Sequence, residues 1–224
     1  MSQQENRVPD EEPRTKKLLL ESGMKFFLQF GYEKASLRRI VADAGFTSGA
    51  FYGYFASKAE LFYALVDETA AGLYKILSSI NDEMMAIPAE YRLYEIAATS
   101  IRHIPNIADF MLAHPKEMLL LMKCSKGTRY ENFLDEIRRR DMENIESGIQ
   151  GLLDAGVSLK PLSHYTMEVL LNGYISMLTR VLIEQTDRDM ICRCMEDISR
   201  VYEQGVLHML EIRDDRSGNQ KQNP

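Results

Sequence analysis

GYEKASLRRIVADAGFTSGAFYGYFASKAELF, residues 31–62, is the stretch on which the fold turns. Within it Ser36 can cap a short helix whose Leu37, Ile40, Val41 and Ala44 follow the i, i+3, i+4, i+7 spacing of a single helical face, and Gly45 stops that helix. Thr47 can cap a second short one. After Tyr54 and Phe55, the run Ser57-Lys58-Ala59-Glu60 reads as a capping box, with a hydroxyl at the cap and a carboxylate three residues on. It opens a long helix through Leu61, Leu65, Leu73 and Leu77, expected to link this segment to the rest of the chain.

Upstream, Pro13 suits the first turn of a helix with Leu19, Leu20, Met24, Phe27 and Phe30 on one face, and Gly31 is expected to end it as a left-handed cap. Downstream, Pro88, Pro105, Pro115 and Pro161 mark expected breaks, giving helices near 90–104, 115–124, 130–155, 162–185 and 188–212. Helical spacing recurs almost everywhere and strand-like alternation is hard to find, so the fold class is all-α. The expected organisation is a polar disordered arm (1–12), a three-helix N-terminal domain (13–60), a helical body (61–213) and a disordered tail (214–224).

The 224 residues carry a net charge of −6, but unevenly: residues 14–58 hold eight basic and three acidic side chains, a basic head on an acidic body. Three cysteines, Cys124, Cys192 and Cys194, form no pair with zinc-ligand spacing and suit a reducing compartment as buried thiols. The start, MSQQENRVPDEEPRTKK, lacks the apolar core of a signal peptide, and apolar runs such as Met118–Met122 are far too short to cross a bilayer. These features predict a cytoplasmic protein with no membrane contact.

Two short helices joined by a glycine-containing turn, the second amphipathic, outline a helix-turn-helix. If Thr47 opens the second helix, Ala50, Phe51 and Phe55 turn inward against Leu37, Ile40 and Phe27. Ser48, Tyr52, Gly53 and Tyr54 then face solvent or DNA. A tyrosine hydroxyl can donate to a phosphate oxygen, and free N–H groups at helix starts attract phosphate, which Ser36, Thr47 and Lys58 are placed to exploit.

With these residues in order, the segment resembles the DNA-binding signature of the TetR/AcrR family of transcriptional regulators: the glycine turn, SGAFYGYF and the following SKAEL match in sequence and spacing. The resemblance implies that Ser36, Tyr52, Tyr54 and Lys58 hold phosphates, that Thr47, Ser48 and Gly49 bring the recognition helix close to base edges, and that Arg38 adds a groove contact. Two departures bear on specificity. Gly53 stands where a larger polar residue, often histidine, is common in the family, and Ser48 where lysine is common. Neither can make a bidentate base contact, so part of the readout is expected from Tyr52, Arg38 and DNA shape.

The resemblance also implies a homodimer reading a palindromic double-stranded operator, and a body that encloses a small-molecule inducer. The last two helices are apolar nearly all round, and Leu170, Leu171, Tyr174, Leu178, Ile198, Val201, Tyr202 and Met209 are the candidate dimer contacts; the alternative is the interior of a monomer. The methionine-rich middle supplies a candidate apolar pocket with few polar groups, formed by Tyr94, Arg102, His103, Phe110, Met111, His114, Met118 and Met122, against the alternative that these are ordinary core. The expected mechanism is a repressor released from its operator when ligand shifts the body and the long helix pivots. No cofactor or metal is implied, and no nucleophile elbow, phosphate loop or HExxH motif suggests an enzyme. Rival readings are an adaptor that keeps the fold without specific DNA binding, and a thiol or metal sensor using Cys192 and Cys194. On a helix, those two side chains point roughly 200° apart.

Overall fold

The computed structural model describes residues 11–210. Most of the expected arm and all of the tail lie outside the described residues. Every regular element among those described is helical: α1 (Glu11–Lys34), α2 (Leu37–Asp43), α3 (Ser48–Tyr52), α4 (Lys58–Ala86), α5 (Ala89–Ala113), α6 (Pro115–Lys123), α7 (Phe133–Asp154), α8 (His164–Glu184) and α9 (Arg188–Met209). The chain divides into two compact units. One holds α1–α3, α4 as far as Leu73, and His114–Leu134; the other holds Tyr74–Ala113 and the chain from Asp135 onward.

The first unit is organised by aromatic packing. Phe27, Phe51, Leu61, Phe62 and Ile40 are fully buried, and the Phe62 ring stands edge-on to both Phe27 and Tyr32, at centroid distances of 5.3 Å. Such large, close-packed rings hold a small unit together without staples. The helix expected to stop at Gly31 instead kinks there and resumes: φ is +72° and ψ 160°, and the Ala35 amide donates back to the Gly31 carbonyl. Pro13 lies within α1, whose first residues, Glu11 and Glu12, extend the helix into the expected arm.

In the second unit, α5 and α8 both pack on α9. Leu93, Ile145, Leu152, Met167, Leu171, Ile175, Val206 and Leu210 form one buried cluster, and Ile104, Ala108, Ile191 and Met195 a second. The expected break at Pro105 is absent, because Pro105 lies inside α5. Proline forfeits a helical hydrogen bond, but Ile104 and Ala108 on either side are buried in the second cluster. Tertiary packing thus holds the helix through it. At the other end of α5, a Cβ on Gly151 of α7 would lie 2.4 Å from that of Ala89, so this helix crossing requires glycine.

The Gly31 backbone lies in a region that only glycine occupies comfortably, and open space surrounds its Cα. Gly31→Ala should therefore lower stability by about 1–3 kcal/mol through the backbone alone, measured as a shifted urea midpoint with an unchanged slope.

Candidate nucleic-acid interface

Local chemistry positions the surface around α2 and α3. The Thr47 hydroxyl accepts from the Ala50 amide at 3.3 Å and starts α3, while Gly45, at φ +83°, reverses the chain between α2 and α3. Phe51 and Phe55 are buried and their rings lie 5.7 Å apart. Consequently Ser48, Gly49, Tyr52 and Gly53 all face outward, with Tyr52 59% exposed; Tyr54 is half-buried. Ser36 occupies the cap position of α2 without its hydroxyl bonding back to that helix, and it is exposed.

The two neighbouring arginines divide. The Arg39 guanidinium lies over Phe26 and Phe30, 5.5 and 5.3 Å from the ring centroids, and so covers α1. Arg38 is exposed and has no ion-pair partner among the described residues. Asp43 locks α2 to α1: its carboxylate accepts from Lys25 and, at 2.8 Å, from Ser22. Those hydrogen bonds hold it below the usual carboxylate range.

Lys58 differs most from expectation. Its ammonium points at the end of α1 and donates to the carbonyls of Tyr32 (2.7 Å), Ala35 (3.1 Å) and Glu33 (3.4 Å). It also lies 4.3 Å from the centroid of the Tyr32 ring. Burial pulls this ammonium below the ordinary lysine range, with Glu33 opposing. A cation there satisfies carbonyls that a helix end leaves orphaned. In this structure the side chain serves as a clamp between α4 and α1, with its three protons already engaged and none turned outward for phosphate. The capping box beside it forms, with Ser57 accepting from the Glu60 amide at 3.1 Å while the Glu60 carboxylate reaches the Ala56 amide at 2.7 Å.

The expected ligand residues fall in both units. Tyr94, Arg102, His103, Phe110 and Met111 belong to the second unit, and His114, Met118 and Met122 to the first, so the eight do not form one site within either. Met111 and Met118 are core, 3% and 1% exposed. Arg102 and His103 both bind Glu83, the histidine through Nε2 at 2.7 Å, and this holds the Glu83 carboxyl low. His114 takes the cap position of α6, with no capping bond from its side chain.

The expected dimer residues are mostly occupied inside the second unit. Leu171 is buried, Leu178 packs against the second cluster, and the Tyr174 and Tyr202 rings stack at 4.3 Å. Leu170, Ile198 and Met209 are half-buried. Of the eight, Val201 alone is exposed, at 74%. The outward stripe of α8 is Tyr165, Val169, Gly173 and Met177, spaced four residues apart and all exposed. Both faces of α8 are apolar in sequence, and packing chose the other one for the interior.

An outward-facing helix-turn-helix on an all-helical chain is the architecture of a DNA-binding transcriptional regulator. Residues 19–65 match the profile of the bacterial regulatory proteins of the tetR family. The chain is 26% identical over 175 residues, 75% of its length, to 84% of an HTH-type transcriptional repressor AcnR of Corynebacterium efficiens. In fold it is similar to a TetR-like transcriptional regulator from Rhodococcus (TM-score 0.53, 16% identity, 87% of this chain and 97% of that one). A TetR family regulator from Chloroflexus aurantiacus gives a TM-score of 0.50 at 20% identity, over 92% and 94% of the two chains. The chain is thus a DNA-binding regulator that carries a tetR-type DNA-binding segment over residues 19–65 and is similar in fold to TetR-like regulators.

Two predictions follow from these geometries. Lys58→Met leaves helix-end carbonyls without their charged donor and should cost about 1–3 kcal/mol, seen as a lower midpoint in thermal unfolding by circular dichroism. Asp141, on α7, has its carboxyl pushed up to about 6 by burial, with Arg140 opposing only in part. An acid whose folded pKa is raised keeps full stability below its unfolded pKa, loses it as pH rises between the two values, and carries the whole cost above the folded one. Asp141→Asn should therefore gain about 2–3 kcal/mol at pH 7.5 and nothing below about pH 4, measured by denaturation at both pH values.

Proposed function

We propose that this DNA-binding regulator is a homodimeric repressor acting in the cytoplasm on a palindromic operator, released when a small, largely apolar molecule binds its body. The observation that carries the DNA half of this reading is the exposed set of Ser36, Arg38, Thr47, Ser48, Gly49 and Tyr52, with a half-buried Tyr54 beside them, arrayed over α2 and α3 above a fully buried Phe51. Small residues let the backbone of α3 approach the groove floor. Tyr52, Tyr54 and Ser36 then supply hydroxyls to phosphates, and Arg38 supplies the one long cationic side chain of the set. Because Ser48 and Gly53 cannot form bidentate base contacts, specificity draws heavily on groove shape. A two-fold dimer would read half-sites roughly 34 Å apart or a multiple of that spacing.

For dimerisation, the support is the exposed apolar stripe Tyr165, Val169, Met177 with Val201, an unusual surface on an acidic body. For ligand response, the support is the buried, imperfectly satisfied polar chemistry of the second unit. The repressor sign follows the name of the Corynebacterium relative. The adaptor reading rests on the same shortage of long donors at positions 48 and 53. Cys192 and Cys194 are both half-buried, and among the described residues no three His, Cys, Asp or Glu side chains gather as metal ligands.

Selection of bound sequences from random duplex DNA should return a palindrome, whereas no enrichment above background supports the adaptor. On the selected operator, Tyr54→Phe should weaken all sequences alike, and Arg38→Ala should flatten the slope of log affinity against log salt by about 0.9. Val169→Glu with Val201→Glu should give a monomer by light scattering; a persistent dimer mass would place the interface elsewhere.

A further inference from the structure

The loop after α6, residues 124–131, lies in the part of the sequence that reads as an acidic body, yet it folds into the unit that carries α1–α3. It is seated beside the end of α1. The Tyr32 amide donates to the Cys124 carbonyl at 2.9 Å, and a Cβ on Gly127 would lie 3.7 Å from the Tyr32 ring and 4.0 Å from the Glu33 Cβ. Internal bonds fix the loop's shape. The buried Ser125 hydroxyl bonds the Leu121 carbonyl at 2.8 Å, and the Thr128 hydroxyl donates to the Ser125 carbonyl at 2.6 Å. The Glu131 carboxylate accepts from the Gly127 amide at 3.1 Å, while Arg129 is taken up by Asp67 and the Tyr63 ring.

Two lysines of this region are left on the surface. Lys123, in the last turn of α6, is exposed and has no ion-pair partner among the described residues. The Lys126 side chain is 80% exposed and meets Glu33 at 3.4 Å. Lys34, next to Glu33, is exposed and likewise unpaired among the described residues. Residues 31–36 and 123–131 together carry four basic and two acidic side chains, in a chain whose net charge is −6. Both acids are already engaged, Glu33 by Lys126 and Glu131 by a backbone amide. Ser36, at the start of α2, stands three residues beyond Glu33, a separation of at most about 10 Å. Each strand of duplex DNA carries a phosphate every ~3.4 Å of helix axis, so a backbone lying against Ser36 offers Lys126 a phosphate within about three steps.

We infer that Lys123 and Lys126, with Lys34 beside them, form an accessory phosphate-binding ridge, through which the loop after α6 grips the DNA backbone next to the phosphates held at Ser36. This rests on the reading of α2 and α3 as the DNA-binding surface and extends that surface to a segment almost ninety residues further along the chain. Duplex DNA fits the ridge because the exposed side chains are long cations continuous with Ser36, and none of the exposed large hydrophobic residues lies on the loop. On binding, Lys126 exchanges Glu33 for a phosphate. Little is lost in the exchange, since an exposed ion pair contributes little, and a loop already fixed by its own hydrogen bonds gives up little freedom. Contacts of this kind add affinity and salt dependence without adding sequence preference.

The test measures the affinity of the full-length protein for its selected operator across a salt series. The proteins compared are the wild type, Lys123→Gln, Lys126→Gln, the double variant and Lys75→Gln, an exposed lysine of α4 in the other unit that controls for net charge. The double variant should bind about tenfold more weakly at physiological salt and flatten the slope of log affinity against log salt by roughly 0.9 for each phosphate lost. The ranking of operator variants should stay unchanged, and Lys75→Gln should match the wild type. Glu33→Gln separates contact from positioning. If Lys126 acted only by holding α1 through Glu33, removing either partner would weaken binding alike; with Lys126 on a phosphate, Glu33→Gln strengthens binding, and does so less in the Lys126→Gln background. Thermal midpoints by circular dichroism confirm that the variants fold. A double variant that behaves like Lys75→Gln, or a Glu33→Gln variant that binds more weakly, overturns the inference while the wild type's operator binding leaves the α2–α3 surface standing. A wild type with no salt-dependent affinity for any duplex overturns both.

Discussion

One ammonium group organises the DNA-binding unit. Lys58, at the first position of α4, donates to three carbonyls at the end of α1 and faces the ring of Tyr32. The Tyr32 amide in turn donates to the carbonyl of Cys124, after α6. The bend that sends α1 into α2 is thereby held from two sides. Since α2 and α3 follow it within a few residues, the orientation of the recognition surface depends on a clamp that lies outside that surface. Helix-end carbonyls are strong acceptors that tolerate no loss of partner when half-buried, which explains why a lysine is held there at the expense of its normal basicity.

Around this clamp, a second set of contacts converges on the same elements. Any Cβ at Gly127 would touch the Tyr32 ring at 3.7 Å, Lys126 pairs with Glu33, and Arg129 lies 4.1 Å from the centroid of the Tyr63 ring while binding Asp67. The loop after α6 therefore belongs energetically to the first unit, although it is separated from α1–α3 by more than sixty residues of chain in places. Exposed ion pairs contribute little singly. Here they accompany ring stacking and backbone hydrogen bonds, and their effect is to fix position more than to add stability.

The second unit follows a different logic. Its helices bury large aliphatic clusters, yet among the described residues the Arg138 Nε and the Tyr202 hydroxyl are buried without a hydrogen-bond partner. A unit selected only for stability would replace both with apolar groups of similar volume. A unit that must change state with a ligand keeps interactions that become favourable only when the ligand is present. The contrast between a closely clamped first unit and an incompletely satisfied second one is what the ligand-responsive reading proposed above would require.

The sequence by itself determined the all-helical fold and the placement of the helix-turn-helix, because caps, glycines and apolar spacing are local signals: Thr47, Gly45, Ser57 and Glu60 each act within four residues of their own position. It also made the family resemblance legible, since that signature is contiguous. What only the tertiary structure decided are matters of partner choice over long separations. Pro105 stays helical because Ile104 and Ala108 are buried against other elements. Lys58 meets carbonyls more than twenty residues earlier, which no spacing rule could identify. Both faces of α8 are apolar, so periodicity could not say that Leu171 and Tyr174 turn inward and Tyr165 and Val169 outward. Local preference writes elements, whereas burial, a property of the assembled chain, assigns each side chain its neighbours and therefore its chemistry.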